Sequence, residues 1–88
     1  MQKFTDVNKL VNSLKPDYPV YCIRPESIKT STQFFKNNFP GKVLYAVKTN
    51  PNKKVLKHII DNGIENFDAA SINEIQLVRN LKPDAHIY

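Results

Sequence analysis

Eighty-eight residues allow one small domain, and hydrophobic and charged shares of 41% and 24% exclude collagen-like, low-complexity and wholly disordered chains. The net charge of +5 comes from scattered residues, the longest run being Lys53-Lys54, so nucleic acid is not expected as a partner. Cys22 is alone, which excludes an internal disulfide or a cysteine zinc site. No stretch approaches the roughly 18–20 apolar residues of a membrane helix. The N-terminal residues lack the apolar core of a signal peptide, so the expected location is cytoplasmic, with no membrane partner.

Val7, Leu10, Val11 and Leu14 fall at i, i+3, i+4 and i+7, one apolar stripe on a short helix that Pro16 stops. Val20-Tyr21-Cys22-Ile23 is short, β-branched and aromatic, and reads as a strand in which Cys22 is a small buried hydrophobe. Ser27 to Asn38 reads as a helix with Ile28, Phe35 and Phe39 near one face, ended by Pro40-Gly41. Lys42 to Lys48 is the clearest strand, apolar on both faces in its middle as a covered parallel strand is. Asn50 then reads as an N-cap with Pro51 at the first helical position, and Val55, Leu56, Ile59 and Ile60 as the buried face before an Asn62-Gly63 stop.

Asn66 to Ala70 is a second short strand. Ser71-Ile72-Asn73-Glu74 matches a capping box, in which Ser71 caps the Glu74 amide and the Glu74 side chain reaches back. Ile72, Ile75 and Val78 continue as the buried stripe of that helix, Pro83-Asp84 turns the chain, and Ala85 to Tyr88 begins a further strand. Strands and helices alternate with short connections, which predicts an α/β fold with a parallel sheet. The last strand has no helix to cover it, so the pattern reads as cut short.

Within the strand from Lys42, Leu44, Ala46 and Lys48 share a face. In a β/α barrel such a face looks into the lumen, and the C-terminal end of the strand is where the chemistry sits. A lysine buried there favours its neutral form, the form that condenses with an aldehyde. Ala46 leaves room for a flat cofactor. Asp68 occupies the corresponding part of the next strand, sharing a face with Asn66 and Ala70. Adjacent parallel strands lie about 4.8 Å apart, so Lys48 and Asp68 can meet, either as a catalytic pair or as a structural ion pair at the rim.

Tyr45-Ala46-Val47-Lys48-Thr49-Asn50-Pro51 resembles the Y-A-V-K-x-N-P segment of pyridoxal-phosphate enzymes with the alanine-racemase-like barrel. Phe67 to Ile75 resembles the F-D-x-A-S-x-x-E-I segment of their ornithine/lysine/arginine/diaminopimelate decarboxylase branch, closest to the ornithine type. Val20 to Ile23 looks like the branch's early strand.

The resemblance implies a truncated (β/α)8 barrel. Residues 1–40 would be an N-terminal helix, strand and helix leading in, with the short first segment belonging to the family's β-domain. Residues 41–88 would open the cofactor-binding barrel. It implies pyridoxal phosphate as cofactor, Lys48 as the lysine that holds it, and Ala46 and Asp68 beside it. Asp68 would orient or neutralise Lys48 once that lysine is released. Glu74 matches a family position near the lysine, although its capping role explains it equally well. The implied activity is decarboxylation of a basic amino acid, ornithine to putrescine in polyamine biosynthesis, by a homodimeric parent protein. Alternatives are lysine or diaminopimelate decarboxylation, or a non-catalytic homologue that regulates the enzyme by pairing with it. The family's glycine-rich phosphate turn, its ring-stacking histidine and its late catalytic cysteine have no counterpart here, so the 88 residues alone are expected to be inactive.

Overall fold

The computed structural model describes residues 2–88. Helix α1 spans Val7–Leu14. Asp6 caps it, accepting from the Lys9 amide at 2.8 Å, and Lys15 closes it in the left-handed region with its amide on the Val11 carbonyl. The predicted stripe forms, but nothing covers it. Val7, Val11 and Leu14 are exposed, and α1 buries no residue.

Between α1 and α2 the expected strand at Val20–Ile23 does not form; Tyr21 is fully exposed and Cys22 lies at the surface. The cause is the missing neighbour. β-branched and aromatic residues favour a pleated, half-buried surface, and that surface exists only when another strand pairs with them. Helix α2 spans Pro25–Asn38, with Pro25 in the first turn where its missing N–H costs nothing. It packs through Ile28 and Thr32, whereas Phe35 and Phe39, read as near one face with Ile28, are exposed.

Three strands follow, each with a helix after or before it: β1 Leu44–Ala46, α3 Lys53–Asp61, β2 Asn66–Asp68, α4 Ile72–Leu81 and β3 His86–Ile87. They make a parallel sheet in the order β1-β2-β3. Leu44 faces Asn66, which faces His86; Tyr45 faces Phe67, which faces Ile87; Ala46 faces Asp68. The α/β expectation therefore holds as a three-stranded parallel sheet, compatible with part of a barrel.

The register separates two faces. Tyr45, Phe67 and Ile87 point into the core with Val47, Leu56, Ile59, Ile64, Val78 and Ala85. Leu44, Asp68 and His86 lie at the alternate positions and are exposed. The helices contribute their apolar residues to the first face only. α4 reaches the core through its second half, Leu77, Val78 and Leu81, while Ile72 and Ile75, predicted as buried, are exposed. Two connections are fixed tightly. Gly63 ends α3 at a φ of +97°, a conformation that costs glycine little. One Arg79 nitrogen, Nη1, donates to the Pro83 and Ala85 carbonyls at 2.7 and 2.8 Å, binding α4 to the start of β3.

Candidate functional site

β1 stops at Ala46, and the next three residues, Val47–Thr49, form one turn of 3-10 helix. Lys48 therefore sits in a turn just past the strand, and the alternation that would place it on the face of Ala46 ends two residues before it. Val47 is fully buried and anchors the start of this turn. Its far end is held by hydrogen bonds: the Tyr45 hydroxyl donates to the Asn50 carbonyl at 3.1 Å, and Asn50 Oδ1 accepts from the Asn52 amide at 3.1 Å. Asn52, not Asn50, caps α3, its Oδ1 accepting from the Lys54 amide at 2.9 Å. The reading of Asn50 as the cap is thus corrected. Asn50 makes an Asx turn, and the helix begins at Lys53.

Lys48 is exposed, so the burial expected of it is not present. Ala46 is half-buried, and its register partner Asp68 is exposed on the adjacent strand. Ala46 and Asp68 thus share the sheet face turned away from the helices, as the alternation predicted. The structure does not bring Asp68 and Lys48 into an ion pair. Among the described residues the ion pair is Lys82–Asp84 at 3.1 Å, and its hydrogen bond holds the Asp84 carboxyl below the usual carboxylate range. At an alternate position of the same sheet, Lys42 Nζ donates to the Tyr88 hydroxyl at 2.8 Å. The ammonium is also 5.3 Å from the ring centroid, but the short contact to oxygen makes this a hydrogen bond first.

Glu74 is committed to the helix end. The Glu74 amide donates to Ser71 Oγ at 3.2 Å. The carboxylate accepts from the Ala70 amide at 3.1 Å and from the Ser71 hydroxyl at 3.2 Å. The capping box forms as predicted, except that the glutamate reaches the Ala70 amide rather than that of Ser71. An apolar cleft of about 470 Å³ runs beside β1, bordered by Ile28, Thr32 and Phe35 of α2 and by Thr49 and Asn50 next to Lys48. The Tyr45–Asn50 bond was not foreseen. Its only trace in the sequence is a tyrosine and an asparagine flanking the lysine turn.

An amine displayed beyond a parallel strand, with a small side chain and a carboxylate on the same edge of the sheet, suits capture of an aldehyde and handling of the released amine's charge. The model of the pyridoxal-dependent decarboxylase family, for its pyridoxal binding domain, matches residues 25–87. The chain belongs to this family of pyridoxal-dependent decarboxylases. No curated protein and no solved structure matches it. Lys48, Ala46, Asp68 and Glu74 all lie inside the matched stretch, and Val20–Ile23 lies outside it. The cofactor of the matched domain is pyridoxal phosphate, and the residue types present are compatible with its aldehyde end: Lys48 would supply the amine, Ala46 the space and Asp68 the counter-charge. Among the described residues neither glycine opens onto Lys48 as a phosphate turn: a Cβ at Gly63 would strike Lys36 Nζ, and Gly41 abuts the Phe39 ring. No helix of the described residues is long and apolar enough to cross a membrane.

Proposed function

We propose that this chain contributes the cofactor-holding lysine of a decarboxylase acting on a basic amino acid, ornithine to putrescine first. The carrying observation is Lys48 itself, exposed in a turn at the C-terminal end of β1, beside the Ala46–Asp68 register pair. Parallel strands with helices on one face support the opening of a (β/α)8 barrel from residue 41 onward, and such barrels place their chemistry at the C-terminal ends of strands. The likeness of Phe67 to Ile75 to the ornithine-type segment supports the substrate choice, and the same resemblance implies a homodimeric parent.

Each residue has a task. Lys48 would hold the cofactor through its Nζ amine at the aldehyde end and would be a free amine while substrate occupies the site. Ala46 leaves the flat space beside it. Asp68 stabilises the Lys48 ammonium while that lysine is free, then helps it return. Glu74 keeps α4 capped and so keeps the end of β2, and with it Asp68, in place. When bound, the cofactor draws electrons away from the substrate's α-carbon so that carbon dioxide can leave.

Borohydride reduction of the cofactor-loaded decarboxylase, followed by peptide mapping, is expected to place the pyridoxyl group on Lys48. Carbon dioxide release is expected to be fastest with ornithine when ornithine, lysine and diaminopimelate are compared. Label on another lysine would refute the site; a preference for lysine or diaminopimelate would refute only the substrate.

A further inference from the structure

Lys48 is flanked by two fixed points. On one side Val47 is fully buried in the core. On the other, the chain must pass Thr49, Asn50, Pro51 and Asn52 before α3 begins, and those residues are exposed. A lysine in such a segment would be free to swing if the second point were loose. The structure closes it with one side chain from the strand, the Tyr45 hydroxyl on the Asn50 carbonyl at 3.1 Å.

We infer that Tyr45 is a positioning residue for Lys48: its hydroxyl, by donating to the Asn50 carbonyl, closes the turn that presents the lysine. This rests on the reading of Lys48 as the cofactor lysine. Three features make the tyrosine suited to the task. Its ring stands edge-on to Phe67, centroids 6.5 Å apart at 75°, and Phe67 is fully buried, so the lever is rooted in the core. Burial pushes its phenol above its ordinary value of 10.0, so the hydroxyl stays protonated and able to donate into alkaline pH. The Asn50 side chain passes the constraint onward through the Asn52 amide to the cap of α3. Core packing at Phe67 is thereby coupled to the backbone on both sides of Lys48.

The test is Tyr45→Phe in the full chain, which keeps the ring and removes the hydroxyl. Two readouts are taken. The first is backbone hydrogen exchange by NMR. Loss of one net hydrogen bond predicts exchange of the Asn52 and Lys54 amides, which donate to Asn50 Oδ1 and Asn52 Oδ1, about fivefold faster, with the core amides of β2 and α3 unchanged. The second is incubation with pyridoxal phosphate, borohydride trapping and peptide mapping. Weak reversible imine formation suffices, because reduction captures it. Lys48 is expected to take more label than the other exposed lysines in the parent chain, and in the variant its share falls toward theirs.

Unchanged exchange at Asn52 and Lys54 would overturn the inference, as would an unchanged Lys48 share. Faster exchange throughout, or loss of cooperative unfolding, would make Tyr45 a core residue only and overturn it too. If Lys48 takes no excess label in the parent chain, the reading of Lys48 falls, and the exchange data still decide whether Tyr45 closes the turn.

Discussion

Ala46 and Asp68 are register partners on adjacent parallel strands, and Lys48 follows Ala46 by two residues. The carboxylate thus sits one short turn away from the lysine and on the neighbouring strand, exposed and without an ion-pair partner among the described residues. This spacing suits an anion that serves Lys48 only when the lysine is released. In the active decarboxylase, Asp68→Ala is expected to slow turnover by roughly 10²-fold, in the range of a lost proton-handling group, while the cofactor stays bound. Steady-state rates, together with the cofactor's visible absorbance, check both halves. An unchanged rate would reduce Asp68 to a bystander at the sheet edge.

Ser71 and Glu74 separate capping from chemistry. Ser71→Ala removes the acceptor for the Glu74 amide and is expected to cost about 1 kcal/mol of stability. Glu74→Gln keeps an oxygen that can accept from the Ala70 amide, so stability should change little. Urea unfolding of both variants measures the first effect. If Glu74→Gln also leaves decarboxylation intact, the glutamate acts through the helix end alone.

Phe67 is the largest side chain in the core with no exposed surface, and it meets Tyr45 from the middle strand. Phe67→Ala is expected to cost about 3–5 kcal/mol. A domain of this size has little to spare, since a small chain buries a modest fraction of its surface. Circular dichroism and urea titration are expected to show a chain largely unfolded at room temperature.

Alkaline pH acts on Tyr45. Its proton is held more tightly in the folded chain than in the unfolded one, because burial disfavours the phenolate. The stability this contributes is fully present below the ordinary value of 10.0 and is lost as pH rises through the higher folded value. Denaturation midpoints measured from pH 9 upward, a range set to straddle the roughly pH 10 of free tyrosine, are expected to fall more steeply for the parent chain than for Tyr45→Phe.

Gly63 tests the end of α3. At a φ of +97° a side chain is strained, and a Cβ there would also strike the Lys36 ammonium. Gly63→Ala is expected to destabilise by about 1 kcal/mol or more. Removing the obstacle with Lys36→Ala in the same chain is expected to recover only part of the loss, because the backbone strain remains. Thermal unfolding of the single and double variants separates the two contributions.

Much of this protein was legible residue by residue. Periodicity located all four helices. Short runs between turn residues, in alternation with the helices, located the three strands, and Ser71 to Glu74 announced its cap, because each depends on neighbours within a few residues. Lys48 and Asp68 could be singled out in the same way, since residue types and spacing alone mark a strand-end lysine and a carboxylate one strand on. What local pattern could not supply was the environment. Val20 to Ile23 has strand composition but no strand to pair with. Phe35, Phe39, Ile72 and Ile75 lie on plausible stripes that meet no opposing surface. Only the tertiary structure decided that β1 ends at Ala46, that Lys48 rides on a 3-10 turn, and that Tyr45 reaches across that turn to Asn50. Those outcomes depend on where the core stops burying β1 and on a hydrogen bond between a side chain and a backbone carbonyl, and neither leaves a period in the sequence.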